Sequence, residues 1–267
     1  MTIPTYVIRG GPAGRERLRV LGRVLWPTTH ELLTRVGVPP AARCLDVGCG
    51  GGDVSVALAS MVSAGSVVGI DLDDTKLDIA RAEASEAGIT NVEFRRADVM
   101  EPAGDDDGYD LVYARFVLTH LTDPAGALAN IVERLAPGGA LVVEDIDFTG
   151  HFCHPDSPAF WRYVTWYSEA VQARGADPNI GPRLPGLLAH VGLVDVGMHV
   201  IQPAGTTGDV KLIGPITLEA IADAVLAAGL ATPAELDRTV DELYAFAHAD
   251  GTLLSLPRIV QTWGRRA

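Results

Sequence analysis

LDVGCGGGD, residues 45–53, sets a run of glycines between two aspartates, Asp46 and Asp53. Glycine-rich turns let a ligand approach the backbone closely, and the flanking charges decide which ligand. A dinucleotide-binding turn needs glycine in the spacing G-x-G-x-x-G. Gly48 and Gly50 fit that spacing, but Asp53 stands at the third position. A carboxylate near the start of a helix repels a pyrophosphate held there. A phosphate-cradling P-loop needs a lysine followed by serine or threonine, and none follows here. The loop therefore suits a neutral or cationic ligand.

Two more aspartates recur downstream. Asp71 closes VVGID, and a carboxylate there can accept both hydroxyls of a ribose. Nicotinamide-binding proteins use the same device, so Asp71 alone does not discriminate. Asp98, in RRADVM, can accept from the exocyclic amine of an adenine, while the amide of Val99 donates to the ring and Leu72 and Met100 sandwich the base. S-adenosyl-L-methionine carries an adenosine, a sulfonium and an ammonium, and no phosphate, which meets both the charge and the spacing.

The elements that must position these residues alternate. ARCLDVG, SVVGID, NVEFRRADV, YDLVYAR and ALVVEDID read as five strands. Between them DVSVALASMVS, DDTKLDIARAEASEAG and DPAGALANIVERLAPGG read as helices, the second with Leu77, Ala80 and Ala84 inward and the third with Leu128, Ile131, Val132 and Leu135 inward. Pro137, Gly138 and Gly139 are expected to end that third helix. Such alternation predicts right-handed βαβ units and a mostly parallel, doubly wound α/β sheet. VDVGMHVIQ reads as a sixth strand and TLLSLPRIVQTWGRR as a seventh, whose proline suits an edge or a strand start better than a centre. Residues 1–42 read as a helical segment, and residues 43–267 as the core. Two insertions, 148–182 and 203–251, leave the carboxyl ends of the fifth and sixth strands, and TLEAIADAVLAAG and TPAELDRTVDELYAFAHAD read as helices of the second. Ligands of open α/β sheets bind at that edge, so both insertions are expected to roof the site as a helical cap.

The bulk properties narrow the partners. A formal charge of −13, without a basic run, argues against nucleic acid. No stretch approaches the roughly 18 uncharged apolar residues of a membrane span, and MTIPTYVIRGG lacks the pattern of a signal peptide. Cys44, Cys49 and Cys153 are too few for a disulfide framework and suit a reducing cytoplasm. The N-terminal helices and those of residues 207–250 are candidates for a homodimer contact.

As an ordered set, LDVGCGGGD, GIDLD, RRADV, YDLVYARFVLTHL and ERLAPGGALVVED resemble the class I S-adenosylmethionine-dependent methyltransferases. The subgroup they are most similar to is that of the ubiquinone and menaquinone biosynthesis methyltransferases, with its small-molecule tailoring enzymes. The resemblance covers residues 43–147 and implies a seven-stranded Rossmann-like sheet whose last strand lies antiparallel beside the fifth. It implies that Asp46, Gly48 and Gly50 line the methionine end of the cofactor, that Asp71 and Leu72 hold the ribose, that Asp98 and Val99 hold the adenine, and that the backbone around Arg115 meets the amino group. YVIRGGPAGRERLRVL resembles a segment that closes over the cofactor, with Tyr6 covering the sulfonium and Arg17 pairing with the carboxylate; the alternative is a solvated helix start.

Methyl transfer is an in-line displacement in which positioning supplies much of the rate, and a base is needed only where the acceptor must lose a proton. His120 in VLTHL, and His151 and His154 in HFCHPDSP, are candidate bases or orienting groups. His151, Cys153 and His154 match no tetrahedral zinc spacing, so no metal is expected. DDDGYD, residues 105–110, lies at the wrong end of its strand for a magnesium site. Asp145, Phe152, Phe160, Tyr163 and Tyr167 are candidate acceptor contacts, although an aromatic stripe also serves core packing. Aromatics on the cap favour an apolar acceptor, and they stabilise a sulfonium by cation–π contact. The alternatives are a methyltransferase-like protein that uses the cofactor without transferring its methyl, as a cyclase or decarboxylase, and a nicotinamide oxidoreductase. Asp53, and a Tyr163–Tyr167 spacing in place of Tyr-x-x-x-Lys, disfavour the latter.

Overall fold

The computed structural model describes residues 11–102 and 108–267. A 26-residue helix, α1 (Gly11–Val36), leads into β1 (Arg43–Val47), α2 (Asp53–Met61), β2 (Ser66–Asp71), α3 (Asp74–Glu86), β3 (Val92–Arg96) and β4 (Tyr109–Arg115). Then come α4 (Pro124–Glu133), β5 (Leu135–Asp147), β6 (Cys153–His154), α5 (Pro158–Gln172), α6 (Leu184–His190), β7 (Val194–Ile201) and β8 (Ala204–Gly205). Three helices, α7 (Ile213–Ala220), α8 (Ala222–Ala227) and α9 (Pro233–His248), and two strands, β9 (Leu253–Ser255) and β10 (Arg258–Arg265), finish the chain.

The main sheet runs β3-β2-β1-β4-β5-β10-β7. Its first five strands are parallel, and β10 is antiparallel to both neighbours. Apolar strands such as Leu45 and Val47 of β1 and Val67, Val68 and Ile70 of β2 are buried on both faces, which is what helices on both sides of a parallel sheet require. The N-caps are legible in composition: Asp73 accepts from the Thr75 and Lys76 amides, and Asp123 from the Gly126 amide.

Three expectations change. The helix over DPAGALANIVE stops at Glu133, and Leu135 already belongs to β5, paired with Tyr109. Pro137 to Gly139 do not end the helix; they lie where the β4–β5 register shifts, with Gly138 at φ +76°. Leu135 is buried, as its periodicity suggests, but as a strand residue. TLEAIADAVLAAG breaks at Ile221 into α7 and α8, and the break lets Leu218, Ile221 and Val225 enter one cluster. The closing segment, read as one strand, splits at Pro257 into β9 and β10; the proline stands just before the start of β10, which lies between β5 and β7. Because Pro257 falls between the strands, it removes no donor from the β10 ladder.

The second layer is built on α5, α7, α8, α9 and a small sheet ordered β6-β9-β8. Phe160, Tyr163, Tyr167, Leu218, Val225 and Leu243 bury together there with Leu21 and Leu25 of α1.

Candidate functional site

β1 ends in a turn that only glycine can make. Gly48 has φ +66°, and a Cβ on it would lie 2.6 Å from Val117 Cγ2. Gly50 has φ +55°. Its amide donates to Asp71 Oδ2 at 2.9 Å, and the Asp73 amide donates to Asp71 Oδ1 at 3.0 Å. Two backbone donors thus fix the Asp71 carboxylate and leave each oxygen a further lone pair. Asp98 Oδ1 accepts from the Met100 amide at 2.8 Å. Asp46 is buried, with Ser55 Oγ donating to Oδ2 at 2.6 Å, and burial pushes its carboxyl up to about 7 against the opposing pull of that bond.

These groups open onto a cavity of about 680 Å³ at the carboxyl ends of the parallel strands. Asp46, Gly48, Gly50, Asp71, Leu72, Asp98, Val99 and Arg115 line it from the strand ends and the turns that follow them. Arg17, His120, Tyr163 and Tyr167 also line it, together with Phe148, Ile213, Thr217 and Leu256. Arg17 is buried and donates through Nε to Thr217 Oγ1 at 3.1 Å. Desolvation, aided by the charges of Arg17, Lys76 and Arg174, lowers His120 to about 3, so its imidazole is neutral at working pH.

Other expected residues fall outside the lining. Asp145 is wholly buried, accepting from the Thr119 amide at 3.1 Å and the Ile146 amide at 2.9 Å; it holds the turn Leu118–His120 against β5. His151 is wedged among Phe148, Phe160 and Tyr163, its Nδ1 2.9 Å from the Phe148 carbonyl oxygen, and burial lowers it to about 4. His154 is exposed on β6, Phe152 is exposed, and Phe160 packs in the cap core. Their loop turns into the small sheet, where Cys153 and His154 pair with Leu254 and Leu253, and this carries them away from the cavity. Tyr6, like Asp105 to Asp107, lies outside the described residues.

Asp53 does not act as a bare charge at the helix start. Arg15 Nη1 and Nη2 reach its two carboxylate oxygens at 2.5 and 2.9 Å, and Arg15 also bonds Glu83. The repulsion expected of Asp53 is therefore offset, and the acidity of the site rests on Asp46, Asp71 and Asp98. The sequence also gave no reason to single out Arg174, which lines the cavity beyond the end of α5. Its one signal, a cation following an aromatic helical face, is common on solvated helix ends.

Sequence comparison agrees with this geometry. A family model described as a methyltransferase domain matches residues 40–171. A methyltransferase of Strobilurus tenacellus, str3, is 30% identical over 79% of this chain and 75% of its own length. The trans-aconitate 2-methyltransferase of Variovorax paradoxus is 30% identical over 86% of this chain and 89% of its own length. Among solved structures, a phosphoethanolamine N-methyltransferase of Haemonchus contortus in complex with S-adenosylhomocysteine superposes with a TM-score of 0.57 at 16% identity, covering 94% of this chain and 58% of that one. The chain belongs to the class I S-adenosylmethionine-dependent methyltransferases. It is an enzyme of that class, and its cofactor is S-adenosyl-L-methionine. Among the described residues no helix is long and apolar enough to cross a membrane.

Proposed function

We propose that the enzyme methylates a hydrophobic small molecule, and the observation that carries this is the division of its cavity. One half offers carboxylates and a glycine turn; the other offers Phe148, Tyr163, Tyr167, Ile213 and Leu256. The first half suits the cofactor. Asp71 accepts the ribose hydroxyls, with Leu72 beside it, and Asp98 and the Val99 amide take the adenine edge. The turn from Asp46 to Gly50 and the backbone around Arg115 receive the methionine end, and Arg17 pairs with its carboxylate. The clash that a Cβ at Gly48 would make with Val117 marks the tightness of this cradle. The bound cofactor supplies an electrophilic methyl group on a sulfonium.

The protein's part is to exclude water and hold the acceptor in line. Helix α1 closes one side through Leu18 and Leu21, and the insertions 148–182 and 203–251 form the roof. Neutral His120 accepts a hydrogen bond from an acceptor hydroxyl and takes its proton as the methyl moves.

Two substitutions separate the halves. Asp71→Ala removes charge-assisted hydrogen bonds worth about 1.5–3 kcal/mol each, so its cofactor Kd in calorimetry should rise at least about tenfold. Ile213→Gln sets an unpaired amide in the roof, a cost of about 1–3 kcal/mol. It should leave the cofactor Kd within about twofold and cut turnover on apolar acceptors by about tenfold or more. Full turnover in Ile213→Gln would sink the apolar-acceptor reading.

A further inference from the structure

Among the described residues many arginines find acids. Arg15 pairs with Asp53, Arg23 with Asp209, Arg162 with Glu242 and Arg258 with Asp147. That is expected where 34 acidic residues face 21 basic ones. Two arginines of the cavity lining, Arg115 and Arg174, are not among these pairs. The Nη1 of each is buried and, among the described residues, has no hydrogen-bond partner. The acid nearest Arg174 in sequence, Asp177, is taken by Arg183 at 2.7 Å. A buried guanidinium nitrogen left without an acceptor is costly, and a ligand that supplies the acceptor recovers that cost.

The position of Arg174 says which ligand. Arg174 follows α5, and the next residue, Gly175, sits against Thr122, just past the turn that carries His120. It therefore enters the cavity from the end of the helix that carries Tyr163 and Tyr167, beside the turn of His120. The cofactor has a single carboxylate, which Arg17 answers, and Arg115 stands at the end of β4 within the field of Asp46, at the methionine end of the cofactor, so Arg174 remains for the acceptor. We propose that the acceptor carries a carboxylate on an otherwise apolar body, and that Arg174 receives that carboxylate beside His120. This rests on the apolar-acceptor reading and narrows it. A monoanion fits better than a phosphate dianion, because Asp223 lines the same roof and tempers the positive charge there. The planar guanidinium fork matches a carboxylate in two parallel bonds. The anion also offsets the arginine charges that add to desolvation in lowering His120, and so makes the imidazole a better proton acceptor when acceptor is bound.

The test is calorimetric titration of protein saturated with S-adenosylhomocysteine. The probes are benzoate, cinnamate and biphenylcarboxylate, each matched with its primary amide, near neutral pH where the acids are ionised. At least one acid should bind about tenfold tighter than its amide, a difference of one charge-assisted contact. Arg174→Gln should bring each pair to within about twofold while leaving S-adenosylhomocysteine affinity unchanged, and Arg174→Lys should restore part of the preference. Equal binding of acids and amides by the unaltered protein, or a preference that survives Arg174→Gln, overturns the carboxylate subsite alone. Binding of S-adenosylhomocysteine with no binding of any acid or amide overturns both this subsite and the apolar-acceptor reading.

Discussion

Asp46 lines the cavity at 3% exposure, and its carboxyl titrates near 7 because burial disfavours the charge more than Ser55 and Arg115 favour it. In the unfolded chain an aspartate titrates near ~3.9. The folded value is raised, so the group's contribution to stability is present below about 4 and is lost as pH rises towards 7. Cofactor binding reverses the preference, since a sulfonium and an ammonium nearby favour the carboxylate. The affinity of the enzyme for S-adenosylmethionine should therefore rise between about pH 6 and 8, with proton release on binding. Calorimetry in buffers of different ionisation enthalpy reads that proton, and Asp46→Asn should abolish it. A flat affinity across this range would place the titrating group elsewhere. At this scale the sequence was legible where the backbone itself makes the site. Gly48, Gly50, Asp71 and Asp98 sit at strand ends, and strand ends are readable. The surroundings of His151 were not, because they depend on which way the loop turns after β5, and those of Asp145 were not, because its partner Thr119 comes from the turn after β4.

α1 is held to the sheet side by charge as well as by its apolar face. Arg15 bridges Asp53 at the start of α2 and Glu83 near the end of α3, and Thr29 Oγ1 donates to buried Glu144 at 2.7 Å. Glu144 also accepts from Tyr113 at 2.6 Å and Gln261 at 2.9 Å, so four elements meet at one carboxylate. Arg15→Met leaves Asp53 and Glu83 unpaired, but both are about a quarter exposed and water softens the loss. Stability should fall by about 1–2 kcal/mol, seen as a lower urea midpoint at unchanged slope. A stability change below about 0.3 kcal/mol would mean that the clamp is a surface pair in effect. None of this network shows in the sequence, since its members lie on elements far apart along the chain. Helix existence was legible from periodicity, whereas the break at Ile221 was not: TLEAIADAVLAAG keeps one apolar stripe, and only packing in the roof bends it.

The whole molecule places a cation-suited turn at the carboxyl edge of a parallel sheet and covers it with an aromatic roof. The parallel, doubly wound arrangement of β1 to β5 followed from alternation and handedness. The place of β10 beside β5 followed from the family resemblance, whereas the split at Pro257 did not, because TLLSLPRIVQTWGRR reads as one strand until Leu253–Ser255 is seen to leave for the small sheet. What makes the cavity a reaction site is the meeting of its two halves, and this can be measured directly. Purified enzyme is incubated with methyl-labelled S-adenosylmethionine and fractions of apolar metabolites, and organic-soluble label and S-adenosylhomocysteine are read in the same sample. The two should appear together in equal amounts and only when an acceptor fraction is present. Tight cofactor retention with neither product, across fractions that span the apolar classes, would contradict methyl transfer to a hydrophobic acceptor.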